Sequence, residues 1–495
     1  MDSMTEIRTQ LAFRFRGKTV ALRGFPADRT LLDWLREEAG AKGTKEGCAE
    51  GDCGACTVVL CRPREGRLIY EPVNACILLL GQIEGSELLT IEDLAQGETL
   101  HPVQQAMVDH HGSQCGFCTP GIVMSLFAHY HDGVAATPGS VNAALAGNLC
   151  RCTGYRPIFD AAEAVIDGAP ADRFAAATAE RLQALGGLPG GDVFVGDDDS
   201  FFAAPASEAS LAALYAAHPD ATLLGGATDV GLWVTKRMMR LRKIIWLGRV
   251  AAFDFLHADE DGVAFGAGVK LADAEPALKR LHPHLGLLMS RFGSQQVRVS
   301  GTVGGNIANG SPIGDLAPAL IALQASLALH SGPLKTGDET RVMPLENYFL
   351  AYGKQDRRPG EYVSSVDVPR LKPNQFYAAY KVSKRFDEDI SAVMAAFRLD
   401  LDGRRVIAAR AAYGGMAATP KRASAVEAAL IGVDLDDPAS WEAATRATAK
   451  DFQPMSDMRA SAAYRSTVAA NLVRRALMEA AGTATLNLGD LVAAE

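Results

Sequence analysis

The stretch GCAEGDCGACTVVL, Gly47 to Leu60, decides how the rest of the chain is read. Three of its cysteines, Cys48, Cys53 and Cys56, stand as C-x4-C-x2-C, and Cys76 follows after nineteen further residues. This spacing suits a [2Fe–2S] cluster. A loop wrapped around an anionic cluster needs small residues, so that backbone N–H groups can approach the sulfurs, and Gly47, Gly51, Gly54 and Ala55 give that room. Zinc ribbons favour paired C-x2-C units, so zinc fits this set poorly.

A second set lies further on. CGFCTPGIV (115–123) and CRCTGYRPI (150–158) place Cys115, Cys118, Cys150 and Cys152 as C-x2-C, thirty-one residues, then C-x-C. Taken alone, this pattern serves zinc as well as iron. Thr119 before Pro120 reads as a helix N-cap, and a second proline start follows Thr153. Both pairs would then sit at helix N-termini, where the macrodipole and free N–H groups favour thiolates. Cys61, the ninth cysteine, closes the apolar run TVVLC and is expected to be a buried strand residue.

The 495 residues are too many for one core. Apolar content of 48% and charged content of 22% are those of a soluble globular chain, and a net charge of −9 argues against a nucleic-acid partner. No secretory signal or membrane span is expected, which points to a cytoplasmic protein. All nine cysteines fall between Cys48 and Cys152, a crowding that speaks for metal rather than disulfides. LAFRFRGKTVAL predicts a hairpin about Arg16-Gly17-Lys18, and Thr30 to Gly40 a helix. Strands are predicted at Thr57–Leu60, Arg67–Glu71 and Glu87–Ile91. Four helices are predicted at Pro102–His110, Pro120–His131, Val141–Ala146 and Pro157–Ile166.

GCAEGDCGACTVVL with Cys76, then CGFCTPGIVMSL and NLCRCTGYRPI, resembles the molybdenum hydroxylase family over the first 165 or so residues. The resemblance implies that Cys48, Cys53, Cys56 and Cys76 hold the [2Fe–2S] cluster nearer a flavin. Cys115, Cys118, Cys150 and Cys152 would hold the one nearer a molybdopterin, which Gln114 would touch. LLGGATDVGL (223–232) and QVRVSGTVGGNIANGSPIGDLAP (296–318) are similar to the family's two FAD loops. By position, the residues implied for FAD are Leu223, Gly225, Gly226, Thr228, Asp229, Thr302, Gly304, Gly305, Asn306, Asn309 and Asp315, with Phe292 beside the flavin and Lys381 approaching it. Tyr352 and Glu388 match positions near the nicotinamide entrance, and Ala227 replaces a residue that is polar in many relatives. Without the resemblance, each glycine loop reads first as a plain turn, and Phe292 reads equally as core, Asp315 as a surface charge and Lys381 as a solvated strand residue.

The architecture implied is α+β and multidomain. It comprises a plant-type ferredoxin-like β-grasp domain over 1–93 and a helical-bundle [2Fe–2S] domain over 94–168. A linker over 169–196, with at most one short helix, follows. An α+β FAD-binding domain of two subdomains over 197–372 and an α+β C-terminal flavoprotein domain over 375–490 complete it. The order of domains resembles the xanthine dehydrogenase and aldehyde oxidase branch, without the large molybdopterin domain. The resemblance therefore implies the small, iron–sulfur/FAD subunit of a two-subunit bacterial enzyme. Electrons would pass from the molybdopterin of a large partner subunit through two [2Fe–2S] clusters to FAD and then NAD+, in a dimer of heterodimers, with no purine-handling residue in this chain. A stand-alone NADH-linked flavin reductase and a zinc-stabilised interaction protein are the competing readings.

Overall fold

A computed structural model describes residues 7–332, 340–483 and 485. The chain forms two compact units, 1–252 with 293–301, and 253–292 with 302–495.

The first unit opens with a five-stranded sheet ordered Lys18–Leu22, Leu11–Phe15, Glu87–Leu89, Thr57–Arg64, Arg67–Asn74. Leu11–Phe15 and Glu87–Leu89 run parallel and the remaining pairs antiparallel. The predicted hairpin turns at Arg16 and Gly17, both with positive φ. The helix Leu31–Glu37 is capped by Thr30, which accepts from the Asp33 N–H, and buries Leu31, Leu32, Trp34 and Leu35. Trp34 meets the rings of Phe13 and Phe15 edge-on, each with centroids 5.5 Å apart. A helix grasped by a sheet is the arrangement expected for a ferredoxin-like domain.

All four predicted helices follow, at Pro102–Asp109, Thr119–Tyr130, Pro138–Leu145 and Arg156–Val165. Thr119–Tyr130 is buried from Gly121 to Tyr130 and forms the axis of the bundle. The stretch 169–196 departs from the linker expectation: it holds the helices Arg173–Ala176 and Thr178–Gly186 and the strand Val193–Gly196. Its Ala- and Gly-rich composition hides three anchors. Phe174 and Leu185 are buried in the core shared by the sheet and the bundle. Arg181 donates from Nε to Glu87 at 2.8 Å and from Nη1 to the Tyr70 hydroxyl at 2.6 Å. The unit ends in a four-stranded sheet ordered Val193–Gly196, Phe201–Ala204, Lys243–Trp246, Thr222–Leu224.

The second unit holds a five-stranded antiparallel sheet, Leu256–Ala258, Gly262–Gly266, Tyr362–Pro369, Ser326–His330, Thr340–Pro344. Among the helices packed with it are Leu271–Leu281 and Leu316–Ala322. Four antiparallel strands, Gln375–Val382, Val393–Asp402, Arg405–Gly414 and Lys421–Arg422, pack against the helices Ser424–Leu430, Glu442–Asp451 and Ala462–Ala480. The division between the units falls inside 197–372, and the expected end of the last domain, 486–490, lies outside the described residues.

His101 Nδ1 accepts the Val103 N–H, so its Nε2 carries the proton donated to Asp172 at 2.6 Å; His131 Nε2 reaches the same carboxylate oxygen at 3.0 Å. Burial pushes the Asp172 carboxyl up, but the hydrogen bonds from His101, His131 and the Ala175 N–H outweigh it and hold it well below the carboxylate range.

Two outcomes are expected. Arg181→Met strands the Glu87 carboxylate and lowers urea-unfolding stability by about 3–5 kcal/mol, much of which the double variant Arg181→Met/Glu87→Leu recovers. Asp172 binds fewer protons folded than unfolded, so its contribution is present above about pH 4 and is lost as pH falls further. The stability difference between wild type and Asp172→Asn therefore narrows from pH 6 toward pH 3.

Candidate functional site: two cysteine cradles and two glycine loops

The first cysteine loop follows the helix Leu31–Glu37 and closes on the strands Thr57–Arg64 and Arg67–Asn74. Cys48 Sγ accepts backbone N–H groups from Glu50 (3.4 Å), Asp52 (3.4 Å) and Cys53 (3.3 Å), and Cys53 Sγ accepts the Cys48 N–H at 3.3 Å. The loop needs its glycines for this. Gly54 has φ +65°, and a Cβ there would meet the Gly147 carbonyl oxygen at 2.1 Å. Asn74 Nδ2 ties the loop down through the Gly51 carbonyl at 2.9 Å. Cys56 and Cys76 are buried, whereas Cys48 and Cys53 are half-buried.

In the second set Cys115 faces Cys152 and Cys118 faces Cys150. Cys118, not Thr119, takes the N-cap position of Thr119–Tyr130, and the Thr119 hydroxyl turns instead to Ser113 Oγ at 2.7 Å. After Cys152 the cap is Tyr155, at φ +67°, whose hydroxyl reaches back to accept the Cys150 N–H at 2.8 Å. The expectation of thiolates at two helix starts therefore holds directly for Cys118, while Cys150 and Cys152 precede their helix by a turn fixed through Thr153. Cys115, Cys152 and Gln114 are exposed.

Both sets suit a binuclear iron centre. Hydrogen bonds from Cys53 and Cys76 drive Cys48 down, and hydrogen bonds with neighbouring sulfurs, together with burial, drive Cys53 and Cys76 up. Burial and Cys150 push Cys118 up to about 12. Such crowded sulfurs ionise together only around cations. Among the described residues, the only three His, Cys, Asp or Glu ligand atoms all within 4.8 Å of one another belong to His101, His131 and Asp172. No three cysteine sulfurs converge as thiolates on a single zinc do, about 3.8 Å apart in a tetrahedron. Cys61 stands apart as expected: fully buried in its strand, its thiol is pushed up to about 12 by burial.

The two cradles touch. The Leu149 N–H donates to the Cys53 carbonyl at 3.0 Å, and Asn148 Nδ2 to the Gly54 carbonyl at 3.2 Å. Gln296, 1% exposed, shares its two Nε2 hydrogens among Thr57 Oγ1 (3.2 Å), Ser125 Oγ (3.2 Å) and Asn148 Oδ1 (2.9 Å). Sequence reasoning missed this network. The one local signal for Asn148 is its place two residues before Cys150, and nothing local marks Gln296, 148 residues away.

Among the flavin candidates of the first unit, Leu223 lies in the strand Thr222–Leu224, and Gly225 to Asp229 form the turn into the helix Val230–Thr235. Gly226 leaves no room for a side chain, since a Cβ would lie 1.9 Å from the Ser300 carbonyl oxygen. Ala227 adopts φ +63°, Asp229 accepts from Trp233 Nε1 at 2.9 Å, and Gln82 Nε2 donates to the Gly225 carbonyl at 3.1 Å.

In the second unit Thr302 caps Val303–Asn309 by accepting the Gly305 N–H, and Gly304 is pressed against Ala267. Asn306 and Asn309 lie on that short helix. Asp315 and Lys381, open as a surface charge and a solvated residue on sequence grounds, form a buried pair at 2.6 Å, with Ser391 donating to the other Asp315 oxygen at 2.5 Å. Phe292 is half-buried against the core of this unit, Glu388 is buried, and Tyr352 is 69% exposed.

Four family models match in the expected order: a 2Fe-2S iron-sulfur cluster binding domain over 14–80 and a [2Fe-2S] binding domain over 90–163. They continue with a FAD binding domain in molybdopterin dehydrogenase over 198–371 and a CO dehydrogenase flavoprotein C-terminal domain over 378–480. The chain belongs to the molybdenum hydroxylase family of oxidoreductases, as its iron–sulfur/FAD electron-transfer part. More narrowly, it is homologous to the N-terminal region of the xanthine dehydrogenases. The Emericella nidulans xanthine dehydrogenase is 30% identical over 89% of this chain and 36% of its own length. The Rattus norvegicus xanthine dehydrogenase/oxidase is 30% identical over 79% and 33%. The chain thus spans about a third of the length of these relatives. Carbon monoxide dehydrogenase from Hydrogenophaga pseudoflava matches with a TM-score of 0.53 at 26% identity, over 57% of this chain and 98% of that one. Quinoline 2-oxidoreductase from Pseudomonas putida 86, with TM-score 0.51 and 23% identity over 57% and 96%, shares the fold.

Cys76→Ala is expected to remove about two of about four irons per chain and to spare the signal of the other centre, and Cys152→Ala the converse. Iron and sulfide analysis with EPR spectroscopy checks both.

Proposed function

We propose that this chain is the electron-transfer subunit of a xanthine dehydrogenase, serving a large molybdopterin-bearing partner that oxidises hypoxanthine and xanthine to urate. When bound, the two [2Fe–2S] clusters supply single-electron steps and FAD supplies two-electron hydride transfer to NAD+. Cys115, Cys118, Cys150 and Cys152 face the partner, in keeping with the exposure of Cys115, Cys152 and Gln114. Cys48, Cys53, Cys56 and Cys76 hold the inner centre. Leu223, Gly225, Gly226, Thr228 and Asp229 serve FAD from one loop, and Thr302, Gly304, Gly305, Asn306, Asn309 and Asp315 from the other. Lys381, held by Asp315, is oriented toward the flavin, with Phe292 beside it. NAD+ enters near Tyr352 and Glu388, and two such heterodimers pair.

The observation that carries this reading is the Leu149 N–H to Cys53 carbonyl hydrogen bond at 3.0 Å, which links the backbone of one cysteine set to that of the other. A chain built only to be stapled by metal has no need of two cradles in such contact. The likeness to the carbon monoxide dehydrogenase and quinoline 2-oxidoreductase structures favours, as a second reading, another member of the family acting on a different substrate, of aldehyde oxidase type or otherwise.

Co-expression with a molybdenum subunit is expected to give xanthine-dependent NAD+ reduction. Cys115→Ser should abolish that activity while leaving ferricyanide reduction by NADH largely intact. Oxidation of an aldehyde or N-heterocycle without xanthine turnover would select the second reading, and NADH oxidation by a chain that takes no molybdenum partner would select a flavin reductase.

A further inference from the structure

The cysteine loop of the first centre is acidic. Between Cys48 and Cys53 it carries Glu50 and Asp52 and no basic residue, so four thiolates are added to a segment that is already negative. The cation comes from elsewhere in the unit. Lys236, which closes the helix Val230–Thr235, donates from Nζ to the carbonyl oxygen of Cys48 and lies 3.5 Å from the Glu50 carboxylate. Its helix is seated against the same loop system: a Cβ on Gly231 would lie 2.3 Å from the carbonyl oxygen of Ile77, the neighbour of Cys76. The ammonium therefore bonds the backbone of one cysteine while its own helix rests on the residue after another.

We propose that Lys236 sets the reduction potential of the centre held by Cys48, Cys53, Cys56 and Cys76, raising it so that this centre accepts an electron from its neighbour more readily. The inference rests on the assignment of that centre as [2Fe–2S]. Its sign follows from charge. A [2Fe–2S] centre held there would gain one unit of negative charge, without a proton, on taking one electron from the centre held by Cys115, Cys118, Cys150 and Cys152. A fixed cation on the backbone of a ligand stabilises the reduced form, and it also offsets Glu50, which acts the other way. Lys236 and Glu50 have side chains 41% and 43% exposed, so solvent and salt screen the effect without removing it. Lys236 touches no reacting atom; it is a positioning residue that acts through the Cys48 backbone and the local field.

The test is an EPR-monitored potentiometric titration of the full chain, with the Cys115–Cys152 centre as internal reference. Lys236→Gln keeps a donor but loses the charge. It is expected to shift the one-electron equilibrium of the first centre threefold to tenfold toward the oxidised form, about 28–59 mV lower at 59 mV per decade. Lys236→Arg is expected to stay near wild type, Glu50→Gln to move the opposite way, and the differences to shrink in high salt. An unchanged potential in Lys236→Gln overturns the proposal. So does a shift of both centres together, or a shift in Lys236→Arg as large as in Lys236→Gln. A wild-type chain that binds no iron or sulfide at Cys48, Cys53, Cys56 and Cys76 would instead fail the cluster assignment, a separate outcome.

Discussion

The carboxamide nitrogen of Gln296 shares its two hydrogens among three buried acceptors, on Thr57, Ser125 and Asn148, and so ties the two cysteine loops to one point. Thr57 opens the strand that leaves the first loop, Ser125 sits within the buried helix behind Cys118, and Asn148 leads into Cys150. Each is a polar group in an interior where an unpaired donor or acceptor costs about 1–3 kcal/mol. The network fixes the loops because abandoning it is expensive. Since Asn148 also donates to the Gly54 carbonyl and Leu149 to the Cys53 carbonyl, the register between the loops is set by backbone and side chain together.

Within each loop the constraint is steric before it is electrostatic. Sulfurs that must share charge need N–H groups turned inward, and a backbone turned inward passes through positive φ at Ala49, Gly51 and Gly54. The second loop reaches the same end with Gly116, Gly154 and Tyr155. Gly121 and Gly54 show how close the packing is. A side chain on Gly121 would lie 2.1 Å from the Gly54 carbonyl oxygen, so the helical domain abuts the backbone of the other domain's loop.

Much of this was legible in the sequence. Cysteine spacing depends on short-range geometry, so Cys48, Cys53, Cys56 and Cys76 identify their loop without any fold. Thr30 and Pro102 mark helix starts because capping is local, whereas the helix expected from Val141 begins earlier, at Pro138, behind the Thr137 cap. What escaped was decided at long range. The segment 169–196 has a linker's composition, yet Arg181 finds Glu87 in a distant strand, and an isolated arginine gives no sign that it is buried. Thr119 yielded the cap to Cys118 because its hydroxyl found Ser113. Asp315 and Lys381 are 66 residues apart, and neither shows in its neighbours that it is half of an ion pair.

The residues 293–301 belong to the first unit although the chain on both sides of them belongs to the second. Gln296 lies in that excursion. A gene cut after residue 252 would keep all eight candidate ligands and discard the Gln296 amide that reaches both of their loops. Where such a chain is split between the cysteines and this excursion, the hydrogen bonds that Gln296 makes here would have to form between two chains.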